Sequence, residues 1–288
     1  MNMIVFSILA MLGLGLVSSI LLAVASRVFF VKENPLVESA MEILPGANCG
    51  GCGYAGCEGY AKAVVSDPDV PANRCCASSK EGIVALAELT GKVVAEAEPL
   101  VAMRRCDIYH GQVATTYEYQ GIPSCAAATP LRGGAHACNY SCLGFGDCVQ
   151  ACPFFALSIV GGLACTDVDR CTGCGACVTA CPRDVLKLIP KRARVCVPCN
   201  SRDKGKTVME VCGVGCITCM KCVRSCPAKA VSLKDNLIEI DHDICLSYGD
   251  ECGMVCVKDC PRDIFRPIDL EGKYVLPVRA EENEKAVA

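Results

Sequence analysis

The first 26 residues carry no charged side chain, and Met3 to Ala25 is almost wholly apolar. As a helix that stretch is about 35 Å long, enough to cross a bilayer core of about 30 Å. A transmembrane helix is therefore predicted over residues 1–30. Ala23-Val24-Ala25 resembles a signal-peptide cleavage site, but no Lys or Arg precedes the apolar run and the run is long for a signal. The anchor is the expected reading. Arg27 and Lys32 follow it directly, which places the rest of the chain on the cytoplasmic side of the cell membrane. Leu36 to Leu44 alternates as a short amphipathic helix ended by Pro45. Residues 80–103 keep a helical apolar pattern, and Glu88, Lys92, Glu96 and Glu98 rule out a second span there. Beyond them the apolar runs shorten to strand length, as in Ala156–Val160 and Asn236–Ile240. The pattern is α+β with no long core element.

Composition explains what replaces a large core. The chain has 288 residues and 27 cysteines, with aromatics at 5% and no tryptophan. The cysteines fall in tight groups, and Cys152, Cys181, Cys226 and Cys260 each precede proline. Neighbours in Cys-x-x-Cys-x-x-Cys bridge each other poorly as disulfides, whereas thiolates at that spacing wrap a metal cluster. Metal centres then organise the fold. The formal net charge is −3, and four thiolates around a 2+ core add about −2 per site, so five sites bring the loaded chain to about −13. Nucleic-acid binding gains no support.

Asn48-Cys49-Gly-Gly-Cys52-Gly-Tyr54-Ala-Gly-Cys57 spaces its thiols C-x2-C-x4-C, with Cys75 further on. Gly50, Gly51, Gly53 and Gly56 let such a loop curl and aim amides at sulfur. Cys49, Cys52, Cys57 and Cys75 are assigned to a first four-iron cluster. Zinc also uses C-x2-C but needs no such glycine-rich wrapping. Cys76 stands beside Cys75 as an alternative fourth ligand.

The run Cys171-x2-Cys174-x2-Cys177-x3-Cys181-Pro182 matches the bacterial ferredoxin spacing residue for residue. A looser run, Cys138-x3-Cys142-x5-Cys148-x3-Cys152-Pro153, precedes it. In such pairs the fourth cysteine serves the other cluster. That rule assigns Cys138, Cys142, Cys148 and Cys181 to a second cluster, and Cys152, Cys171, Cys174 and Cys177 to a third. The pattern then repeats. Cys216, Cys219, Cys222 and Cys260 are assigned to a fourth cluster, and Cys226, Cys245, Cys252 and Cys256 to a fifth, in which Cys245 sits across an enlarged loop. The expected fold is thus an α+β chain with one N-terminal transmembrane helix, a small cluster-binding module, and two tandem bacterial-ferredoxin-like 2[4Fe-4S] units. Its divisions are the anchor 1–30, a four-cysteine module 31–85, a connector 86–130, ferredoxin pairs at 131–192 and 193–268, and an acidic tail 269–288. No catalytic residues are expected: there is no Gly-x-Gly-x-x-Gly after a strand, no P-loop and no Ser-His-Asp set, and His110, His136 and His242 are scattered.

With the uncharged span, Leu44-Pro45-Gly46-Ala47-Asn48-Cys49-Gly50-Gly51-Cys52-Gly53-Tyr54 and the ferredoxin pairs, residues 1 to about 266 resemble the B subunit of the Rnf complex. This complex is a membrane-bound, ion-translocating ferredoxin:NAD⁺ oxidoreductase, and the second pair marks its longer form. Cys75-Cys76-Ala77 departs from the Cys-Pro-rich end of the family's first module. The resemblance implies an electron-transfer subunit that accepts electrons from soluble ferredoxin and passes them to membrane partners, with NAD⁺ reduced and the ion moved elsewhere. A wiring subunit of another membrane oxidoreductase, such as a hydrogenase complex, is the alternative. A non-redox, cluster-stabilised scaffold is a third reading.

Two further expectations attach to this reading. Residues 183–206 hold eight Lys and Arg against two Asp. Lys187, Lys191, Arg192 and Arg194 are taken from that stretch as a ferredoxin-docking patch, against the plain alternative of a solvated or lipid-facing basic loop. In addition, Cys106, Cys125, Cys199 and Cys212 stand in stretches similar to the longer Rnf form. They are expected to gather as a sixth site, a four-iron cluster or zinc, against the alternative of buried reduced thiols.

Overall fold

The computed structural model describes residues 2–28, 34–94, 98–108 and 113–268. Lys32, His110 and the tail 269–288 lie outside the described residues. In helix α1 (Asn2–Val28) the apolar side chains from Val5 to Val24 point outward on every face, and none of Val5–Arg27 is buried by the rest of the chain. A helix apolar all round fits a lipid environment. Arg27 lies in its last turn, where a cation complements the helix C-terminus.

Helices α2 (Pro35–Ile43), α3 (Gly56–Ser66) and α4 (Lys80–Thr90) form a small module. The Asn34 side chain caps α2 and Ser79 caps α4, satisfying amides that a helix start leaves open. The core is Val37, Ala40, Tyr60, Ala61, Val64 and Leu86. The buried Tyr60 hydroxyl donates to Pro71 O at 2.8 Å, and Lys92 Nζ ties Asp67 O and Val70 O at 2.6 Å each. The helix expected over 80–103 stops early. Gly91 takes the left-handed conformation that ends α4, and the chain continues as strand β1 (Leu100–Arg104). Val101, Ala102 and Met103 are buried there, so pairing and packing decide the conformation of this segment.

The remainder is one framework used twice. After α5 (Cys125–Ala128) and α6 (Asp147–Gln150), strands β2 (Leu157–Val160) and β3 (Leu163–Thr166) form a hairpin, followed by α7 (Ala176–Ala180) and β4 (Leu186–Pro190). In the second unit come β5 (Val195–Cys196), α8 (Gly205–Val211), α9 (Lys221–Ser225), the hairpin β6 (Val231–Lys234) with β7 (Leu237–Ile240), α10 (His242–Tyr248), α11 (Val255–Lys258) and β8 (Arg266–Pro267). The two hairpins have four paired positions each and turn on Gly161-Gly162 and Asp235-Asn236, all at positive φ, as tight two-residue hairpins require. A preceding strand closes each unit: β1 pairs antiparallel with β4, and β5 with β8. Residues 100–104, expected in a connector, are therefore part of the first unit's framework.

A buried ion network joins the units. Arg104 Nη2 meets Asp107 Oδ1 at 2.9 Å, and Arg266 Nε reaches Asp107 Oδ2 at 3.3 Å from the far end of the second unit. All three charges are mostly removed from water, so each needs the others.

Candidate metal centres

Each Cys-Pro run folds identically. The third residue after the cysteine (Phe155, Asp184, Lys229 and Asp263) is left-handed at φ 51°, 51°, 55° and 48°. Its N–H returns to the cysteine carbonyl at 3.1–3.4 Å. Proline fixes the turn's entry, and the next amide then faces the thiol. Ala156 N and Val185 N donate to the Cys152 and Cys181 Sγ at 3.4 Å, and Ile264 N to the Cys260 Sγ at 3.5 Å. Such bonds orient the thiols.

Around these turns the thiols gather in groups. Cys216, Cys219, Cys222 and Cys260 line one cavity, and Cys226, Cys245, Cys252 and Cys256 another, so the enlarged loop does bring Cys245 to its group. Cys177 is pushed up to about 12 by burial and by the facing Cys171, Cys174 and Cys152 thiols, which places these four together. In the helical module, burial raises Cys75, and Cys52 and Cys57 raise it further. Burial pushes Cys76 up to about 12, and its thiol neighbours are Cys49, Cys174 and Cys75. Asn48 Oδ1 accepts the Cys57 amide at 2.8 Å, and a Cβ on Gly56 (φ +82°) would strike that oxygen at the same distance.

Two residues fall in different groups from those expected, Cys138 from its spacing and Cys125 from the resemblance. Cys125, Cys142, Cys148 and Cys181 line one cavity, while Cys106, Cys138, Cys199 and Cys212 line the next. Cys125 and Cys138 have exchanged places. The reason lies in the loop Cys142-Leu-Gly144-Phe145-Gly146-Asp147-Cys148. Gly144 and Gly146 have φ of 75° and 91°, like Gly173 and Gly175 at 71° and 79° in the regular run. The loop therefore has the regular shape, with Phe145 standing where the middle cysteine would be. Cys125 supplies the missing thiol from α5, facing the amides of Phe145, Asp147 and Gly146. Asp147 holds it there, accepting from Cys125 N at 2.8 Å and from Ala126 N and Ser124 Oγ at 2.9 Å. Two glycines bracketing a phenylalanine were the available signal. Cys138 is left for the central cavity, where burial pushes it up to about 11 with Cys212 and Cys199 facing it.

The donor sets fit iron–sulfur clusters. Buried thiols crowded in fours repel one another as thiolates unless a cationic core sits among them. Each of four such groups lines a cavity of its own. Among the described residues no three His, Cys, Asp or Glu side chains converge as a single metal ion requires.

The groups adjoin in series. Cys174 lies under the first module's loop, so close that a Cβ on Gly51 would fall 2.7–2.9 Å from it. Cys148 faces Cys177, Cys106 faces Cys142, and Cys216 N donates to Cys199 Sγ at 3.4 Å.

The expected docking residues are mostly paired within the chain. Lys187 meets Glu239 at 3.1 Å, Arg192 meets Glu98 at 2.6 Å, and Arg194 meets Asp250 at 2.7 Å and donates to Gly249 O. Lys191 is half-buried. His136 Nδ1 lies 3.0 Å from Ser141 Oγ and burial lowers His242; neither joins a thiol group.

This geometry defines a membrane-anchored, ferredoxin-type iron–sulfur protein of electron transport. Residues 44–76 match a family described as a putative Fe-S cluster, and residues 164–187 match a 4Fe-4S binding domain. The chain is 41% identical over 269 residues to the B subunit of the proton-translocating ferredoxin:NAD(+) oxidoreductase complex of Clostridium ljungdahlii, covering 93% of this chain and 94% of that one. It is 41% identical over 269 residues to the B subunit of the ion-translocating oxidoreductase complex of Methanosarcina acetivorans, covering 91% and 97%. The Na(+)-translocating counterpart of Acetobacterium woodii is 36% identical over 249 residues, covering 85% and 74%. The chain belongs to this family, the B subunits of Rnf-type ion-translocating oxidoreductase complexes.

Proposed function

We propose that this chain takes electrons from a reduced, acidic ferredoxin and relays them through six four-iron centres to the other subunits of an ion-translocating ferredoxin:NAD⁺ oxidoreductase. The observation that carries the reading is the adjacency in series of the thiol groups, from the Cys216–Cys260 group of the second ferredoxin unit to the module that follows the membrane helix in sequence. A bound cluster would supply one-electron redox chemistry. The residues that would hold the six are Cys49, Cys52, Cys57 and Cys75; Cys152, Cys171, Cys174 and Cys177; Cys125, Cys142, Cys148 and Cys181; Cys106, Cys138, Cys199 and Cys212; Cys216, Cys219, Cys222 and Cys260; and Cys226, Cys245, Cys252 and Cys256. The soluble part faces the cytoplasm, consistent with Arg27 after the span and with thiols kept reduced.

Electrons enter at Cys219, the exposed one among the chain's cysteines. Residues 202–224 hold Arg202, Lys204, Lys206, Lys221 and Arg224 against Asp203 and Glu210. Arg224 donates to Cys219 O at 3.3 Å, and Gly205, between Lys204 and Lys206, packs on Ile217, so this basic stretch lies beside the Cys219 loop. Residues 241–259, around the last group, hold five Asp and Glu against Lys258. An acidic carrier is steered to the basic rim and repelled from the acidic one. The test is to mix the purified, cluster-loaded chain with reduced ferredoxin and follow bleaching of the cluster absorbance. Rapid, salt-sensitive bleaching is expected; none would sink the reading.

A further inference from the structure

The four Cys-Pro runs share one turn but differ at the residue after proline. It is Phe154 after Cys152, Arg183 after Cys181, Ala228 after Cys226 and Arg262 after Cys260. The two arginines follow the cysteines whose groups flank the central one. Each reaches from its own cavity wall to a loop of the central group. Arg183, 6% exposed, lines the Cys125–Cys181 cavity and donates through Nη2 to Cys138 O at 2.6 Å. Arg262 lines the Cys216–Cys260 cavity, donating through Nη2 to Cys212 O at 3.0 Å and through Nε to Gly215 O at 3.2 Å. The arrangement is repeat-symmetric: each ferredoxin unit presents one central cysteine just beyond its first strand, Cys106 or Cys199, and one gripped by its arginine, Cys138 or Cys212.

The two grips are unequal in cost. Among the described residues Arg183 Nε and Nη1 have no hydrogen-bond partner, although the group is buried. An isolated buried guanidinium is expensive. The cysteines around it are Cys138, Cys106, Cys142 and Cys181. These four belong to two adjacent groups. The cation therefore stands where sulfur ligands of both would carry negative charge, and that charge is the compensation its burial calls for.

We infer that Arg183 and Arg262 are positioning residues of the central site: they fasten its Cys138 and Cys212 loops to the neighbouring sites, and Arg183 holds a positive charge between two clusters. This rests on the reading of Cys106, Cys138, Cys199 and Cys212 as a sixth cluster site. With thiolate-held clusters on both sides, the cation stabilises the more negative reduced state. Removing it makes reduction harder without removing a ligand. Lysine keeps the charge but loses the planar fork that reaches a carbonyl while facing sulfur.

The test uses the full-length, cluster-loaded chain and reads iron per chain and midpoint potentials by EPR-monitored titration. The wild type is expected to hold about 24 irons. Arg183→Gln is expected to lower one midpoint by about a tenfold shift in the reduction equilibrium, about 59 mV for one electron. The Arg183→Gln/Arg262→Gln pair should lose the central cluster, leaving about 20 irons. Arg183→Lys should restore the potential in part. Arg262 is only half-buried, so Arg262→Gln alone tests the grip if the Arg183 variants do not fold. A wild type with about 20 irons overturns the sixth-site reading itself. A wild type with about 24 irons, and variants unchanged in iron and potential, overturns the arginine assignment alone.

Discussion

The two ferredoxin units share their hairpins, Cys-Pro turns and closing strands, yet they differ in what covers them. Of the first unit's thiols Cys142, Cys148, Cys152 and Cys177 are buried and none is exposed. Of the eight thiols lining the second unit's own two cavities only Cys222 is buried, and Cys219 is exposed. The first is roofed by the helical module at Gly51 and flanked by the second unit through Asp107 and Arg266. The difference is therefore one of surroundings rather than of ligand loops. A ligand loop fixes a cluster; its neighbours decide whether that cluster can meet an outside partner or only the next cluster.

The largest effect is expected where the covering is tightest. Gly51 has no room for a side chain, because its neighbour is the Cys174 Cβ and backbone. Gly51→Val must lift the module off the first unit. Reduction of the module's own centre, followed by freeze-quench EPR after adding a reduced carrier, should slow more than in any other variant here. The centres of both ferredoxin units should still be reduced at the normal rate. An unchanged module rate would break the contrast between a roofed and an open unit.

Next comes the open side. Lys204→Glu with Lys221→Glu should cut the rate of reduction by ferredoxin by about 10- to 100-fold at low salt, with the difference fading as salt rises. Reversing Lys191 and Arg192 should change little, because Arg192 is already paired with Glu98. Equal losses from both pairs of changes would deny the second unit its special edge.

A third effect concerns the seam. Asp107 is buried between Arg104 and Arg266. Asp107→Ala removes the carboxylate that faces the buried Arg104, while Arg266 keeps Asp263 at 3.1 Å, and should cost about 3–5 kcal/mol, read by denaturant unfolding of the loaded protein. Loss below about 1 kcal/mol would mean that the units are held by other contacts.

Much of this was legible in the sequence because cluster ligands are local. The regular runs, the Cys-Pro turns, the strands at 157–160 and 237–240 and the anchor all follow from spacing or hydropathy. What was not legible is what arises between segments. Cys125 replaces the thiol missing at Phe145 because Asp147 ties down α5, and no spacing rule joins those positions. Cys138 looked like a ligand of its own run because it lies four residues before Cys142, yet its partners are Cys106, Cys199 and Cys212. Strand β1 read as helix because its partner β4 lies far along the chain. The basic stretch at 187–194 read as a patch because its acidic partners Glu98, Glu239 and Asp250 are remote.

The smallest effect tests whether unit identity rests on ligands alone. Cys165 and Cys196 lie on different strands of the two units: Cys165 in the hairpin strand β3 pairs opposite Ser158, and Cys196 in the closing strand β5 opposite Arg266. Burial pushes Cys196 up to about 12 and also raises Cys165, which accepts from Arg104 Nη1 at 3.6 Å. Neither lines a thiol cavity, so both are packing residues in which sulfur serves as a small apolar atom. Cys165→Ala and Cys196→Ala should each cost about 0.5–1.5 kcal/mol of stability, in the range for trimming a buried side chain. Iron per chain should not change, whereas Cys138→Ala should remove about four irons. Iron loss from either alanine variant would make that thiol a ligand and redraw the unit it belongs to.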